Sequence, residues 1–169
     1  MISEKMVKAL SDQVNAELYS AYLYLAMAAY ADNAEFKGIA NWLYVQTREE
    51  QAHGTHIVKH LLERGAVPVF AEIKAPQASW GSIAELFDMV VAHEKLVTGL
   101  INKIADLALE EKDHATYNFI LWYVNEQVEE EASAEEIAAR VKLAGDHSGL
   151  LCHLDNTLGA RKFKDPFPD

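Results

Sequence analysis

The chain predicts an all-α fold: a four-helix bundle with one long crossover loop and a short fifth C-terminal helix. Three observations carry this. Apolar residues recur in alternating steps of three and four along four long segments, the spacing of a helix that buries one stripe. Capping residues and glycines stand where those segments begin and end. The connections are short within the first pair and within the second pair, and long only between the pairs.

The first seam runs Val7, Leu10, Val14, Glu17, Ala21, Tyr24, Ala28, with Ser3 placed to cap it. It predicts a helix over about 4–31 that ends before an Asp32-Asn33 turn. The second seam, Ile39, Leu43, Gln46, Glu50, His53, Ile57, His60, covers about 34–64 and stops at Gly65, a residue suited to a left-handed C-cap. Residues 65–81 hold Gly65, Pro68, Pro76 and Gly81 without a sustained period, so they form a loop. At about 3.3 Å per residue it reaches on the order of 55 Å, enough to run the length of a helix of about 45 Å. Helices two and three can therefore be parallel. Ser82-Ile-Ala-Glu85 is a capping box opening a third helix over 83–112, whose seam is Ile83, Phe87, Val90, Glu94, Val97, Ile101, Ile104, Ala108. Asp113 can cap the fourth, over 114–144, with Thr116, Ile120, Tyr123, Gln127, Glu130, Ala134, Ile137 and Val141 on its seam; Gly145 closes it. A fifth helix over 147–158 carries Leu150, Leu151, Leu154 and Leu158, an exposed apolar face consistent with burial against neighbouring copies. Residues 159–169 form a tail, and a single domain spanning 1–169 holds everything.

Composition excludes several classes. Half of the 169 residues are apolar, which argues against disorder. A formal charge of -11 argues against nucleic acid and anionic membrane as partners, since both favour basic patches. No apolar stretch is long enough to span a bilayer, and the N-terminal residues lack the apolar core of a secretion signal. The one cysteine, Cys152, cannot form an intrachain disulfide, and cytoplasmic residence is the simpler expectation.

Four glutamates break this pattern. Glu17, Glu50, Glu94 and Glu130 each interrupt the apolar seam of a different helix, near its middle. Either direction of each helix brings them to one level, so the waist of the bundle becomes a carboxylate cage. Desolvating one ionised carboxylate costs several kcal/mol, and four together repel. The basic side chain placed to join them is His53, three residues after Glu50 on the same face. One imidazole cannot balance four carboxylates; two divalent cations can. Oxygen ligands with one imidazole suit iron or manganese better than a soft metal. Glu50-x-x-His53 and Glu130-x-x-Ser133 form an incomplete echo of the di-iron plan, in which each of two helices offers Glu-x-x-His.

Four stretches, Asn15-Ala-Glu-Leu-Tyr-Ser20, Arg48-Glu-Glu-Gln-Ala-His53, Tyr117-Asn-Phe-Ile-Leu-Trp-Tyr123 and Glu126-Gln-Val-Glu-Glu-Glu131, stand in order with Glu94 between. In these the chain closely resembles the bacterial non-haem ferritins across essentially its whole length. The resemblance implies a ferroxidase centre in which Glu17, Glu50 and His53 hold one iron and Glu50, Glu94 and Glu130 the other, with Glu50 bridging and Gln127 beside the second iron. It implies oxidation of Fe(II) by dioxygen or hydrogen peroxide, storage as ferric oxyhydroxide, and a shell of 24 identical subunits. Tyr24, two turns after Glu17, lies beside the iron centre in the family as a possible electron donor; as plain chemistry it is a core tyrosine bonded to a ligand carboxylate. By spacing alone Glu49, Glu126 and Glu129 are a solvated acidic face. The resemblance makes them, with Glu130, a third iron site. Position 52 is Ala where haem-binding relatives carry a methionine, so no haem is expected.

The remaining candidates read as structural. Trp122 and His60 are expected to pack, His56 to face outward, His93 to point away from Glu94, and His147 and His153 to lie by a channel at most. Two rival classes stay in view. A rubrerythrin-like peroxidase would use the cage as a fixed cofactor, but the second histidine and any Cys-x-x-Cys pair are missing. A DNA-coating mini-ferritin would need a basic tail.

Overall fold

The computed structural model describes residues 2–145 and 147–168. Met1, Asp146 and Asp169 lie outside the described residues, and with them the last position of the expected tail. Five helices follow in order: α1 (Glu4–Asn33), α2 (Lys37–Glu63), α3 (Ile83–Glu110), α4 (His114–Ala144) and α5 (Ser148–Leu158). Among the described residues there is no strand.

The ends of the helices show why they stop where they do. Ser3 Oγ accepts from the Met6 amide at 3.0 Å and donates to Glu111 at 2.6 Å, tying the start of α1 to the end of α3. The first turn lies later than Asp32-Asn33: α1 continues through Asn33, and the break comes at Glu35, whose φ of 67° is incompatible with a right-handed helix. The capping box of α3 forms with a shift of one residue. Ser82 Oγ accepts from the Glu85 amide at 3.1 Å, while Glu85 reaches back to the Gly81 amide at 2.8 Å. Asp113 accepts from the Thr116 amide at 3.1 Å, and Arg64 at the end of α2 bridges to Asp113 at 3.0 Å.

Contacts between helices fix their directions. The pairs Ser3–Glu111 and Tyr24–Glu94 make α1 and α3 antiparallel. Gln127–Glu94 and Lys142–Asp88 do the same for α3 and α4. Trp42 and Phe87, near the starts of α2 and α3, pack with ring centroids 5.8 Å apart, so these two helices are parallel. The segment between them travels along α1: the Val69 amide bonds to Ser11 Oγ at 3.1 Å, and Trp80 meets the Tyr30 ring at 5.3 Å. That is the long crossover.

Helix α5 corrects an expectation. Leu154 and Leu158 are 5% and 9% exposed and belong to the bundle's own core, leaving Leu150 exposed. The reason is a close approach at Gly38, where a Cβ atom would sit 1.7 Å from the Asp155 carbonyl oxygen. The approach also caps α2. Phe36, its N-cap, supplies no side-chain hydrogen bond, and the Ile39 amide donates instead to Asp155 Oδ1 at 2.8 Å.

Two apolar clusters fill the bundle. One holds Leu23 to Ala31, Ile39 to Leu43, Leu86 to Val90 and Ala134 to Val141; the other holds Met6 to Val14, Ile57, Leu61, Val97 to Ala108 and Ile120. Between them, on every one of the four long helices, lies the level of a glutamate.

Candidate metal centre

The seam positions carry the four carboxylates inward. Glu17, Glu50 and Glu94 are 1%, 2% and 1% exposed, His53 2%. Glu130 is half-buried as a residue, but its Oε2 is shut off from solvent. Three groups of side chains place their ligand atoms within 4.8 Å of one another: Glu17, Glu50 and His53; Glu50, Glu94 and Glu130; and His53, Glu126 and Glu130. The first two share Glu50. Spacing alone made Glu126 part of a solvated face and the family resemblance set it with Glu130; the third group puts it beside both Glu130 and His53.

Around the cage, donors are too few for the acceptors. Gln13 donates to Glu17 Oε1 at 2.8 Å, Gln127 to Glu94 Oε2 at 3.1 Å, Gln46 to Glu130 Oε1 at 3.4 Å, and the Tyr24 hydroxyl to Glu94. Glu17 Oε2, Glu130 Oε2 and His53 Nε2 are buried with no partner among the described residues. Buried polar atoms are normally satisfied, so the two carboxylate oxygens mark where a cation would be bound, with the Nδ1 side of His53 turned to Glu50 in the same group.

Electrostatics agree. Burial pushes the Glu17 carboxyl up to about 7, against hydrogen bonds from Glu50 and Gln13 that lower it. Burial also raises Glu50 and Glu130 well above the usual carboxylate range, with repulsion from the other glutamates adding to it, and raises Glu94. His53 is driven down to about 4 by burial, so its ring is neutral near pH 7. The 3.5 Å contact of His53 Nδ1 with Glu50 is therefore no ion pair, and the ring offers a lone pair instead. Without cations the cage holds protons; with them it is a set of oxygen donors and one nitrogen.

The neighbouring residues sort themselves. Tyr24 is fully buried, and its phenol is held well above its ordinary value by burial and by Glu94. His93 lies apart from the cage, bonded to Ser20 at 2.8 Å and edge-on to Tyr24 at 6.0 Å. His60 stacks on Phe119 at 3.9 Å. His56 does not face outward: it is half-buried, 3.1 Å from the Tyr123 hydroxyl and stacked on Phe167 at 3.6 Å. Its own helix gave no sign of this, because the covering residue comes from the tail. Trp122 packs edge-on to His53 at 5.4 Å.

The acidic trio is arranged differently from the cage. Glu49 is half-buried and joins none of the three groups, and neither does Glu129, which is exposed. Arg161, from the tail, holds Glu49 at 2.6 Å. A cavity of about 170 Å³ lined by Trp42, Gln46, Glu126, Glu129, Glu130, Ser133 and Arg161 joins this region to the edge of the cage. Sequence reasoning missed Arg161, which no local spacing ties to α2. It also missed Gln13, although a position four residues before Glu17 was a readable signal.

Comparison with known proteins places the chain. Residues 7–144 match the ferritin-like domain family. The chain is 38% identical to a bacterial non-heme ferritin of Bacteroides fragilis over 161 residues, 95% of this chain and 100% of that one. It is 37% identical to one from Staphylococcus aureus over 165 residues, 98% and 99% respectively. Among solved structures, an open-pore ferritin of the hyperthermophilic archaeon Archaeoglobus fulgidus superposes with a TM-score of 0.94 at 46% identity, covering 96% of this chain and 100% of that chain. A humanized archaeal ferritin gives 0.96 at 47%, covering 97% and 99%. With a bundle, a crossover and a carboxylate waist of this form, and relatives matched over nearly their full length, the chain belongs to the ferritin family.

Proposed function

We propose that this chain is the subunit of a cytoplasmic iron-storage ferritin, oxidising Fe(II) at a di-iron centre within each subunit and storing it as ferric oxyhydroxide inside a shell of 24 copies. The observation that carries the reading is the pair of ligand groups sharing Glu50, with unpartnered atoms on Glu17, His53 and Glu130. Family membership and the non-heme ferritin relatives support storage as the purpose. The open-pore and closed forms described for the archaeal relatives support a hollow assembly.

Iron is here the substrate. Glu17 and His53 would bind one Fe(II), Glu94 and Glu130 the other with Gln127 alongside, and Glu50, which belongs to both ligand groups, would serve both. Two Fe(II) give up one electron apiece, reducing dioxygen to hydrogen peroxide or peroxide to water with two protons taken up. Protons leaving Glu17, Glu50 and Glu130 on metal binding are the nearest source. Tyr24, bonded to Glu94, orients that carboxylate at the second iron. Glu126, Glu129 and Glu49 then receive iron on its way to the interior.

The test is an aerobic Fe(II) titration with the particle sized before and after loading. A storage shell oxidises hundreds of irons per particle with no change in outer diameter; a fixed-cofactor enzyme stops at two per subunit. Glu50→Ala removes the bridge and is expected to abolish fast oxidation while the bundle stays folded. Wild-type rates in that variant would sink the proposed centre.

A further inference from the structure

Beyond α5 the chain turns back along α2. Asn41 Nδ2 donates to the carbonyls of Gly159 at 3.3 Å and Arg161 at 2.9 Å. The Arg48 guanidinium covers the Phe163 ring at 3.9 Å, and Phe167 stacks on His56. Arg161 is thus delivered by a docked segment. Its Nη2 donates to Glu49 Oε2 at 2.6 Å, its guanidinium carbon lies 4.9 Å from the Trp42 ring centroid, and its Nη1 is buried with no partner among the described residues. Glu126 and Glu129 line the same cavity. The guanidinium charge is permanent.

We propose that Arg161 is a tethered counter-cation of the Glu49, Glu126 and Glu129 set, standing where a third iron would bind and displaced each time a metal ion arrives. The inference rests on the proposed third iron position and adds what regulates it. Two facts make the exchange feasible. Among the described residues Arg161 holds a single carboxylate, through one nitrogen, and neither side chain is sealed from solvent, so water can enter as the pair opens. Glu49 is also the ligand that has to swing free, since its Oε2 is engaged by Arg161. A tethered cation stays at high effective concentration and re-enters when the metal leaves. Iron at this position is consequently short-lived, which keeps the way to the interior clear.

The experiment uses assembled, metal-free protein titrated with Tb(III), a redox-inert probe. Trp42 lines the cavity, so Trp-sensitised Tb(III) emission that disappears in Trp42→Phe reports this position. In wild type a weak luminescent equivalent is expected after two tighter ones at the centre. Arg161→Gln removes the competing charge and tightens the weak equivalent about tenfold. Arg161→Lys keeps the charge and stays close to wild type, and Glu49→Gln weakens the same equivalent. Unchanged affinity in Arg161→Gln, or equal behaviour of the Gln and Lys variants, overturns the proposal, the latter by assigning Arg161 to tail docking. Two tight equivalents with no third in any variant also overturns it while leaving the di-iron reading standing. Loss of the two tight equivalents in wild type sinks the di-iron reading itself, so the two failures are told apart.

Discussion

Substituting Glu17 by Gln is expected to stabilise the metal-free protein and to disable it. The Glu17 carboxyl is held at about 7 in the folded state by burial, against 4.5 when exposed. At about 1.4 kcal/mol per pH unit, ionising it costs the folded protein on the order of 3 kcal/mol. The sign follows from the direction of the shift. A carboxyl whose folded value is raised contributes stability that is fully present below about 4.5 and is lost as pH rises through about 7. Gln keeps the shape and the hydrogen bonds at this position without ever ionising. Glu17→Gln therefore gains on the order of 3 kcal/mol at pH 8 and little at pH 4.5. Glu50, Glu94 and Glu130 press on the same proton balance, so that figure is a ceiling for one substitution. Urea unfolding of chelator-treated protein, followed by far-UV circular dichroism at both pH values, reads it directly. Destabilisation at pH 8, or an equal gain at both pH values, would refute the desolvation argument. Iron oxidation in the same variant is expected to fall, because Glu17 is part of the first ligand group.

Asp155→Ala removes the hydrogen bond that caps α2 from α5 and is expected to cost about 1 kcal/mol. Hydrogen exchange should quicken at the Ile39 amide, which loses its partner; unchanged protection there would show that the Asp155 contact is not made in solution. Tyr24→Phe leaves Glu94 with Gln127 as its remaining donor and keeps the buried ring volume, so the fold should hold. Stopped-flow oxidation should slow less than in Glu50→Ala, with Fe(II) binding intact. Identical rates and identical oxygen consumption would reduce Tyr24 to packing.

Much of the centre was legible because helical periodicity is strictly local. Glu17, Glu50, Glu94 and Glu130 occupy seam positions, and a seam residue of a bundle faces the other three helices whatever its chemistry. The capping residues Ser3, Ser82 and Asp113 were legible for the same reason: each acts on an amide three residues away. What could not be read was set by contacts distant in sequence. Nothing in the local spacing marks Gly38, yet it admits Asp155 and with it the close approach of α5. The environment of His56 and the pairing of Glu49 depend on Phe167 and Arg161, residues of a tail with no period of its own. The acidic trio was ambiguous by spacing, and the fold supplies what spacing lacks: Glu126 and Glu129 share a cavity with Arg161, which reaches Glu49.

In the proposed di-iron reading, the departure from a symmetric cage sits at Ser133. A histidine at that position, three residues after Glu130, would mirror His53 and close the second metal position with a neutral nitrogen donor. Serine instead lines the cavity that Glu130 shares with Glu126, Glu129 and Arg161. In that reading the second position is thus open on one side toward further carboxylates, while Trp122, Tyr123 and Phe167 pack around His53 at the first. If iron leaves the proposed centre on this side, Glu126 is the next oxygen donor, since it groups with both Glu130 and His53. Restoring the histidine tests this asymmetry. Ser133→His is expected to tighten the second metal position and to slow turnover after the first two irons per subunit, seen as a normal first oxidation phase followed by a depressed second. Unaltered later phases would mean that product leaves by another face of the cage.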